Sequence, residues 1–249
     1  MNTRITFQVA KKLGGETTGF VPKRWIMSCA IAFASAVPLI AQNAELQQKL
    51  AAVKQSVAEN KQRLQQYRWT ETTQLSLKGD AKPPSQNLCQ YGPGGQVQKT
   101  PISAPPPPPS GGRMKQKVIA NKKAEMQDYM GDVKNLLALY VPPDPLKMQQ
   151  AFEAGKASLN PAGSMVNLVF KDYALPGDQM TLTFDTGTKK VVSLSVQTYM
   201  GESKDAVTLQ VQMDSLPDGT NYVRQSVLNA TAKQLVVTTT NSSYQMVGG

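Results

Sequence analysis

The fold is decided by the stretch Met180-Thr-Leu-Thr-Phe-Asp-Thr-Gly-Thr-Lys-Lys-Val-Val-Ser-Leu-Ser-Val-Gln197. Apolar side chains alternate with hydroxyl or amide side chains on both sides of an Asp-Thr-Gly-Thr turn, and this period of two is typical of half-buried strands. The alternation returns over residues 207–213, and further strand patterns cover 165–170, 222–228 and 235–244. Because one face is aliphatic and the other carries Thr, Ser and Gln, the pattern predicts an antiparallel sheet covered on one side only.

Three segments upstream of the last strands have helical periodicity instead. Apolar residues recur at spacings of three, four and seven over residues 43–67 and again over 113–141, so each segment has one apolar stripe. A shorter helix is predicted between Asp144, an N-cap residue followed by proline, and Gly155. Short strands are expected between the first two helices, over residues 69–77, 88–91 and 96–102. Helices that cover one face of an antiparallel sheet predict the α+β class.

Residues 1–41 have the order of a secretory signal peptide. Lys23-Arg24 precedes an apolar run that extends to Val37, and Pro38 and the small residue Ala41 follow. The run is shorter than the ~20 residues of a spanning helix, so we prefer cleavage after Ala41; cleavage after Ala36 and an uncleaved membrane anchor are the alternatives. Residues 42–249 are then predicted to form a single exported α+β domain, periplasmic or extracellular, with no stable transmembrane segment after cleavage.

Residues 103–112 interrupt that domain with five consecutive prolines followed by Ser-Gly-Gly. Proline lacks a backbone N–H and fits neither a central strand nor a helix interior. A flexible, solvated, polyproline-like segment is therefore expected. The alternative interpretation is a docking ligand for an aromatic-lined groove.

The composition excludes most catalytic machinery. The chain has no histidine and two cysteines, of which Cys89 alone follows the predicted signal peptide. This composition excludes histidine-dependent triads, a disulfide within the mature chain and a credible zinc site. We therefore expect no enzyme, no cofactor and no metal. Capping is the ordinary role of carboxylates at predicted turns, although a glycosidase-like pair stays open. These turn carboxylates are Asp172, Asp178, Asp185 and Asp218.

Four segments resemble a group of uncharacterised exported bacterial proteins. They are 140–145 (Tyr-Val-Pro-Pro-Asp-Pro), 170–178 (Phe-Lys-Asp-Tyr-Ala-Leu-Pro-Gly-Asp), 183–187 (Thr-Phe-Asp-Thr-Gly) and 216–222 (Leu-Pro-Asp-Gly-Thr-Asn-Tyr). More remotely, the order of elements is similar to the periplasmic lipoprotein-carrier (Lol carrier) family. That resemblance implies a curved, half-barrel-like sheet whose apolar concave face receives lipid, covered by an N-terminal amphipathic helix and two inserted helices. The proline-rich residues 103–112 depart from the family, and no motif is specific enough to transfer a functional residue.

The aliphatic face of the predicted strands is the candidate ligand cavity. Its hypothetical lining is Leu182, Phe184, Leu194, Val196, Leu209, Val211 and Met213. The resulting prediction is a non-enzymatic binding module for an acyl chain, a lipoprotein or another amphiphile of the bacterial envelope. The alternative is a structural or protein-interaction domain with a dry core. No nucleic-acid partner is expected.

A weaker candidate is the basic start of the long helix in a chain of net charge +10. The helix dipole favours carboxylates at that end, so a run of cations there does not serve helix stability. One interpretation is a surface that contacts anions, and the other is an ordinary solvated face. The cations are Arg113, Lys115, Lys117, Lys122 and Lys123.

The signal-peptide interpretation predicts that the protein isolated from its host begins near Gln42. The cationic pair and the short apolar run should direct export, and the peptidase should cut after Ala41. N-terminal sequencing measures this directly. A chain that retains residues 1–41 and sediments with the inner membrane would contradict the prediction.

Overall fold

A computed structural model describes residues 58–102 and 113–247 of the 249-residue chain, together with Gln48, Ala51 and Gln55. The predicted signal peptide, residues 1–41, and the proline-rich residues 103–112 lie outside the described residues, so both interpretations stay predictions. Most of the predicted apolar stripe of the leading helix lies outside them as well.

The described strands form one open antiparallel sheet. In chain order they are β1 (Tyr67–Leu77), β2 (Asp80–Ala81), β3 (Ser85–Tyr91), β4 (Val97–Pro101), β5 (Ala157–Ala162), β6 (Met165–Lys171), β7 (Gln179–Asp185), β8 (Lys190–Tyr199), β9 (Ala206–Ser215), β10 (Asn221–Ala230) and β11 (Leu235–Met246). The spatial order is β4-β3-β1-β11-β10-β9-β8-β7-β6-β5, and β2 pairs with β1. This open sheet with helices confirms the predicted α+β, half-barrel-like fold class.

Three helical segments accompany the sheet. The first, called α1 here, comprises the described helical residues 48, 51, 55 and 58–64. The other two, α2 (Arg113–Leu137) and α3 (Pro145–Glu153), follow β4 in the chain. α3 begins where the sequence predicts, because the Asp144 side chain accepts a 2.8 Å hydrogen bond from the Leu146 N–H and Pro145 occupies the first turn.

Three details of the helices differ from the prediction. α2 ends at Leu137 and not at Val141, because the chain turns ahead of Pro142 and a residue before proline disfavours the helical conformation. Tyr67 is the first residue of β1 and not the end of the leading helix. Leu146, predicted on the apolar side of α3, is 67% exposed.

Two strands were not predicted from the sequence, namely the two-residue β2, which pairs with β1, and the edge strand β5. β5 pairs with β6 on one side only and is the last strand of the sheet on that side. It contains Pro161, whose missing N–H is tolerated on an edge strand. An exposed edge strand needs no apolar alternation, so the pattern that reveals the other strands is absent here.

The apolar face of the sheet is built from rows of directly paired residues. One row crosses seven strands and consists of Phe170, Met180, Val196, Leu209, Leu228, Val237 and Leu75. Against this face pack Val133 of α2 together with Met148 and Ala151 of α3, all in one buried cluster. We call this side of the sheet the inner face.

The opposite side of the sheet is polar. A row on that side consists of Asn167, Thr183, Ser193, Gln212, Gln225, Thr240 and Thr72. These side chains hydrogen-bond across strands, as in the 2.8 Å bond from Thr183 to Asn167. The predicted division into one aliphatic and one hydrophilic face is therefore present from β6 to β1.

Leu168→Ala should lower the free energy of unfolding by about 2–5 kcal/mol, because truncating a buried leucine removes apolar burial and leaves a cavity. Leu168 of β6 lies on the inner face and is 1% exposed. Leu146→Ala is the matched control, since its side chain is 67% exposed and surface substitutions typically change stability by about 0.5 kcal/mol or less. Urea denaturation of both variants measures the difference. Equal losses would contradict the assigned burial.

Candidate functional site

The seven predicted cavity residues share the inner face of β7, β8 and β9. Leu182 pairs with Leu194, which pairs with Val211, and Val196 pairs with Leu209. Six of the seven are buried, with exposures of 0–8%, and Met213 is partly buried. The structure thus places them in one contiguous cluster beneath α2 and α3, while their contact with a ligand stays a prediction.

Along one row of the inner face, burial decreases from β6 towards β1. Along the row of paired residues, Phe170, Met180 and Val196 are 0% exposed, and Leu209 and Leu228 are each 8% exposed. Val237 and Leu75, the next two residues of that row, are only half-buried. In this row the apolar floor is therefore partly accessible at Val237 of β11 and Leu75 of β1, which the sequence did not suggest, whereas Ala230 and Leu235 in the neighbouring row are 0% exposed.

Hydroxyl side chains follow the apolar residues along these same strands. Ser226, Thr239 and Thr73 form the next row of direct pairs after Val211, and all three are half-buried. One row further, Asn241 pairs with Glu71. From Leu75 towards Glu71 the inner face thus changes from apolar to hydroxyl to amide and carboxylate. We call the half-buried residues Leu75, Val237, Thr73, Thr239 and Ser226 the graded strip.

An aromatic cluster lies at the polar end of the graded strip. The Trp69 ring stacks on Tyr244 with centroids 5.5 Å apart, and Tyr222 lies 4.5 Å from Tyr244. The Trp69 indole N–H donates a 3.1 Å hydrogen bond to Asn241. Burial raises the pKa of the Tyr244 hydroxyl well above its ordinary value, so that hydroxyl is neutral at physiological pH.

One ion pair closes this end of the inner face. Lys99 of β4 reaches the Glu71 carboxylate of β1 at 2.6 Å, and the lysine side chain is 49% exposed. Cys89 is completely buried opposite Trp69, and burial raises the pKa of its thiol above the ordinary value. A protonated, inaccessible thiol is a poor nucleophile, so Cys89 acts here as a small apolar residue.

The buried polar group of greatest consequence is Asp178. The residue is 3% exposed, and its carboxylate accepts hydrogen bonds from the Tyr140 hydroxyl and from the backbone N–H groups of Tyr173, Ala174 and Leu175. Tyr140 also shares a 2.8 Å hydrogen bond with Thr198 of β8. Burial and the Asp178 carboxylate raise the pKa of the Tyr140 hydroxyl far above its ordinary range. All of these hydrogen bonds join parts of the protein to one another, so the cluster holds the segment after α2 and the loop after β6 against β8.

The turn carboxylates have the capping roles that the sequence predicts. Asp172 accepts from the Gly177 N–H at 2.7 Å, Asp185 from Gly187 at 2.8 Å and Asp218 from Thr220 at 2.8 Å. These backbone hydrogen bonds lower the pKa of all three carboxyl groups, so they are ionised at neutral pH. Each of the three carboxylates lies at a separate turn, and its capping hydrogen bond is sufficient to explain its position.

The described part of the chain holds no group of three or more metal-ligating side chains, and none of its helices has the length and apolarity that crossing a bilayer requires. Of the five predicted cationic residues, Lys117, Lys122 and Lys123 are exposed on the first turns of α2. Arg113 and Lys115 belong to the same helix, but their side chains lie outside the described residues.

Comparison with known proteins gives structural neighbours alone. No protein-family model and no curated protein matches the chain. A DUF1329 family protein from Desulfovibrio piger superposes with a TM-score of 0.40 at 7% sequence identity, covering 82% of this chain and 93% of its own. A LolA superfamily protein from Nitrosomonas europaea superposes with a TM-score of 0.33 at 8% identity, covering 78% and 94%.

One of these neighbours is a LolA superfamily protein, the family that the remote resemblance names, but superpositions with TM-scores of 0.40 and 0.33 carry no argument about this chain. No residue role is transferred from either neighbour. The graded strip and the aromatic cluster were missed in the sequence. The alternation of residues 69–77 marks them as inner-face positions, but nothing in the sequence tells which inner-face positions remain accessible.

Tyr140→Phe should lower the free energy of unfolding by about 1–3 kcal/mol, because the variant removes one of four donors to a buried carboxylate. Tyr199→Phe is the matched control, since the Tyr199 hydroxyl bonds to the Pro176 carbonyl at an exposed site. Guanidinium denaturation measures both. A smaller loss for Tyr140→Phe than for Tyr199→Phe would contradict the role assigned to Asp178.

The Tyr140→Phe variant should also differ from the parent in how its stability depends on pH above pH 10. Because the folded-state pKa of Tyr140 is raised, its contribution to stability is fully present below the unfolded pKa of about 10 and is lost as pH rises above it. A tyrosine whose pKa is raised in the folded state adds up to about 1.4 kcal/mol per pH unit to the loss of folding free energy in this range. Tyr140→Phe should therefore lose less stability than the parent between pH 10 and 11.

Proposed function

We propose that this protein is an exported, non-enzymatic binding module for an acyl chain, a lipoprotein or another amphiphile of the bacterial cell envelope. The observation that carries the proposal is the graded strip, where half-buried Leu75 and Val237 continue a fully buried apolar row. Small-molecule sites are lined mainly by apolar side chains with a few placed polar groups, and the graded strip has that composition. Export itself rests on the predicted signal peptide, residues 1–41.

The direction of the polarity gradient supports an amphiphile over a purely apolar ligand. The acyl part would lie over Leu75 and Val237, next to the buried Leu209 and Leu228. Its polar part would then reach the hydroxyls of Thr73, Thr239 and Ser226, which can donate and accept hydrogen bonds. In this arrangement Leu209, Val211 and Met213 border the ligand, while Leu182, Phe184, Leu194 and Val196 support the floor beneath α2 and α3.

The second candidate is a structural or protein-interaction domain with a dry core. The complete burial of Val196 and the 2–3% exposure of Leu182, Phe184 and Leu194 favour this reading for the β7–β8 part of the face. The two candidates make different claims about the graded strip, since a dry core has no ligand there. No cofactor or metal enters either proposal, and neither requires a catalytic residue.

Val237→Glu should abolish binding of a fluorescent fatty acid while the domain stays folded, because a carboxylate would enter the accessible apolar end of the strip. Val236→Glu is the matched control. Val236 is the preceding residue on β11, is also half-buried, and points to the opposite face of the sheet. Fluorescence titration measures binding, and circular dichroism monitors the fold. We expect the control to bind as the parent does.

The outcomes separate the two candidates. A folded Val237→Glu variant that binds as tightly as the parent, or a parent that binds no fatty acid or lysolipid, would reject the amphiphile site. An unfolded Val237→Glu variant beside a folded control would indicate a dry floor, because an unpaired buried charge costs several kcal/mol against a total stability of about 5–15 kcal/mol.

A further inference from the structure

The first half of α2 has little cover from the rest of the described protein. Met114 and Val118 are 82% and 54% exposed, and Ile119 is the single half-buried residue among the described side chains before Met126. The helix joins the core only from Met126 onward, through Met126, Tyr129, Met130 and Val133. The first three turns of α2 therefore leave two large apolar side chains, Met114 and Val118, exposed to solvent.

The charge of these turns is entirely positive. Residues 113–124 include five lysines and arginines and no carboxylate, and the first acidic residue of α2 is Glu125. Glu125 is paired with Lys233 at 2.6 Å and also interacts electrostatically with Lys122. The partial positive charge at the N-terminal end of a helix acts within the first turn, so Arg113 and Lys115 gain no helix stability from their position.

The cations flank the exposed apolar residues on one side of the helix. At about 100° per residue, Lys117, Met114, Val118 and Lys122 follow one another around an arc of about 140°. Met114 and Val118 are separated by four residues and therefore stack along the helix axis. Together with Lys117 and Asn121 they line an open depression. A strip of apolar side chains between lysines is typical of a helix that lies on an anionic membrane surface.

We propose that the projecting half of α2 docks on an anionic phospholipid bilayer. Its lysines would meet the negative headgroup region, while Met114 and Val118 would reach the boundary with the acyl chains. The charge complementarity and the uncovered apolar residues carry this inference, and it does not depend on the amphiphile site of the inner face. A module that exchanges amphiphiles with a membrane would gain an orienting contact from it.

The test is vesicle sedimentation with the protein as its host produces it. Vesicles of phosphatidylcholine alone are compared with vesicles containing phosphatidylglycerol, and the ratio of the two partition coefficients is the readout. Each lysine near an anionic surface contributes about five-fold to partitioning, so Lys117→Gln/Lys122→Gln should reduce the ratio about 25-fold. Both side chains are exposed, and removing cations from this helix end should leave the melting temperature unchanged or slightly raised.

The matched control is Lys82→Gln/Lys189→Gln, which removes the same charge from exposed positions outside α2. We expect this control to change the ratio less than three-fold, and Met114→Ser/Val118→Ser to weaken binding to the phosphatidylglycerol vesicles. An equal loss in both lysine variants would show a net-charge effect and overturn the proposal. The proposal would also be overturned if the parent bound both kinds of vesicle equally. Lysine-dependent binding of soluble polyphosphate without vesicle binding would overturn it as well.

Discussion

The burial of the Asp178 carboxylate is the constraint on which the arrangement of the helices depends. A carboxyl group in a residue that is only 3% exposed is tolerated only when hydrogen bonds replace its lost hydration. Three backbone N–H groups of the loop that follows β6 and the Tyr140 hydroxyl supply them. Because Tyr140 comes three residues after the end of α2, these bonds attach the end of that helix to the sheet.

The same loop also positions α3. Tyr173 is the second residue after the end of β6. Its hydroxyl accepts a 2.8 Å hydrogen bond from the backbone N–H of Asp144, the N-cap of α3. α3 then contacts β5 and β6. Of the described helices, α3 is thus held over the β5–β6 side of the sheet by polar contacts, while the apolar residues of the inner face extend across to β1. The half-buried graded strip lies away from that side, on β10, β11 and β1.

The sequence predicts what depends on local periodicity and fails where distant segments meet. Alternation identifies β7, β8 and β9, and the Asp144-Pro145 pair identifies the start of α3. Asp178 is recognisable as a turn residue, but its partner Tyr140 lies 38 residues away and no pattern links them. β5 escapes because a one-sided edge strand needs no alternation. Leu75 and Leu194 look equivalent in sequence, and only the placement of the helices makes one accessible and the other buried.

The Glu71–Lys99 pair indicates that the polar end of the inner face is in contact with water. A buried ion pair seldom recovers the hydration that its two charges lose, so an ion pair inside a sealed core would be a net cost. Here Lys99 keeps 49% of its side chain exposed while its partner lies on the inner face beside Trp69. Water therefore reaches the Lys99 ammonium group, although Glu71 and Trp69 are only 9% and 7% exposed; Val196 and Met180, several strands away, are completely buried. The proposed amphiphile site rests on the change along β1 from the half-buried Leu75 to the hydroxyl of Thr73 and the carboxylate of Glu71, a polarity that an ordinary apolar core does not have.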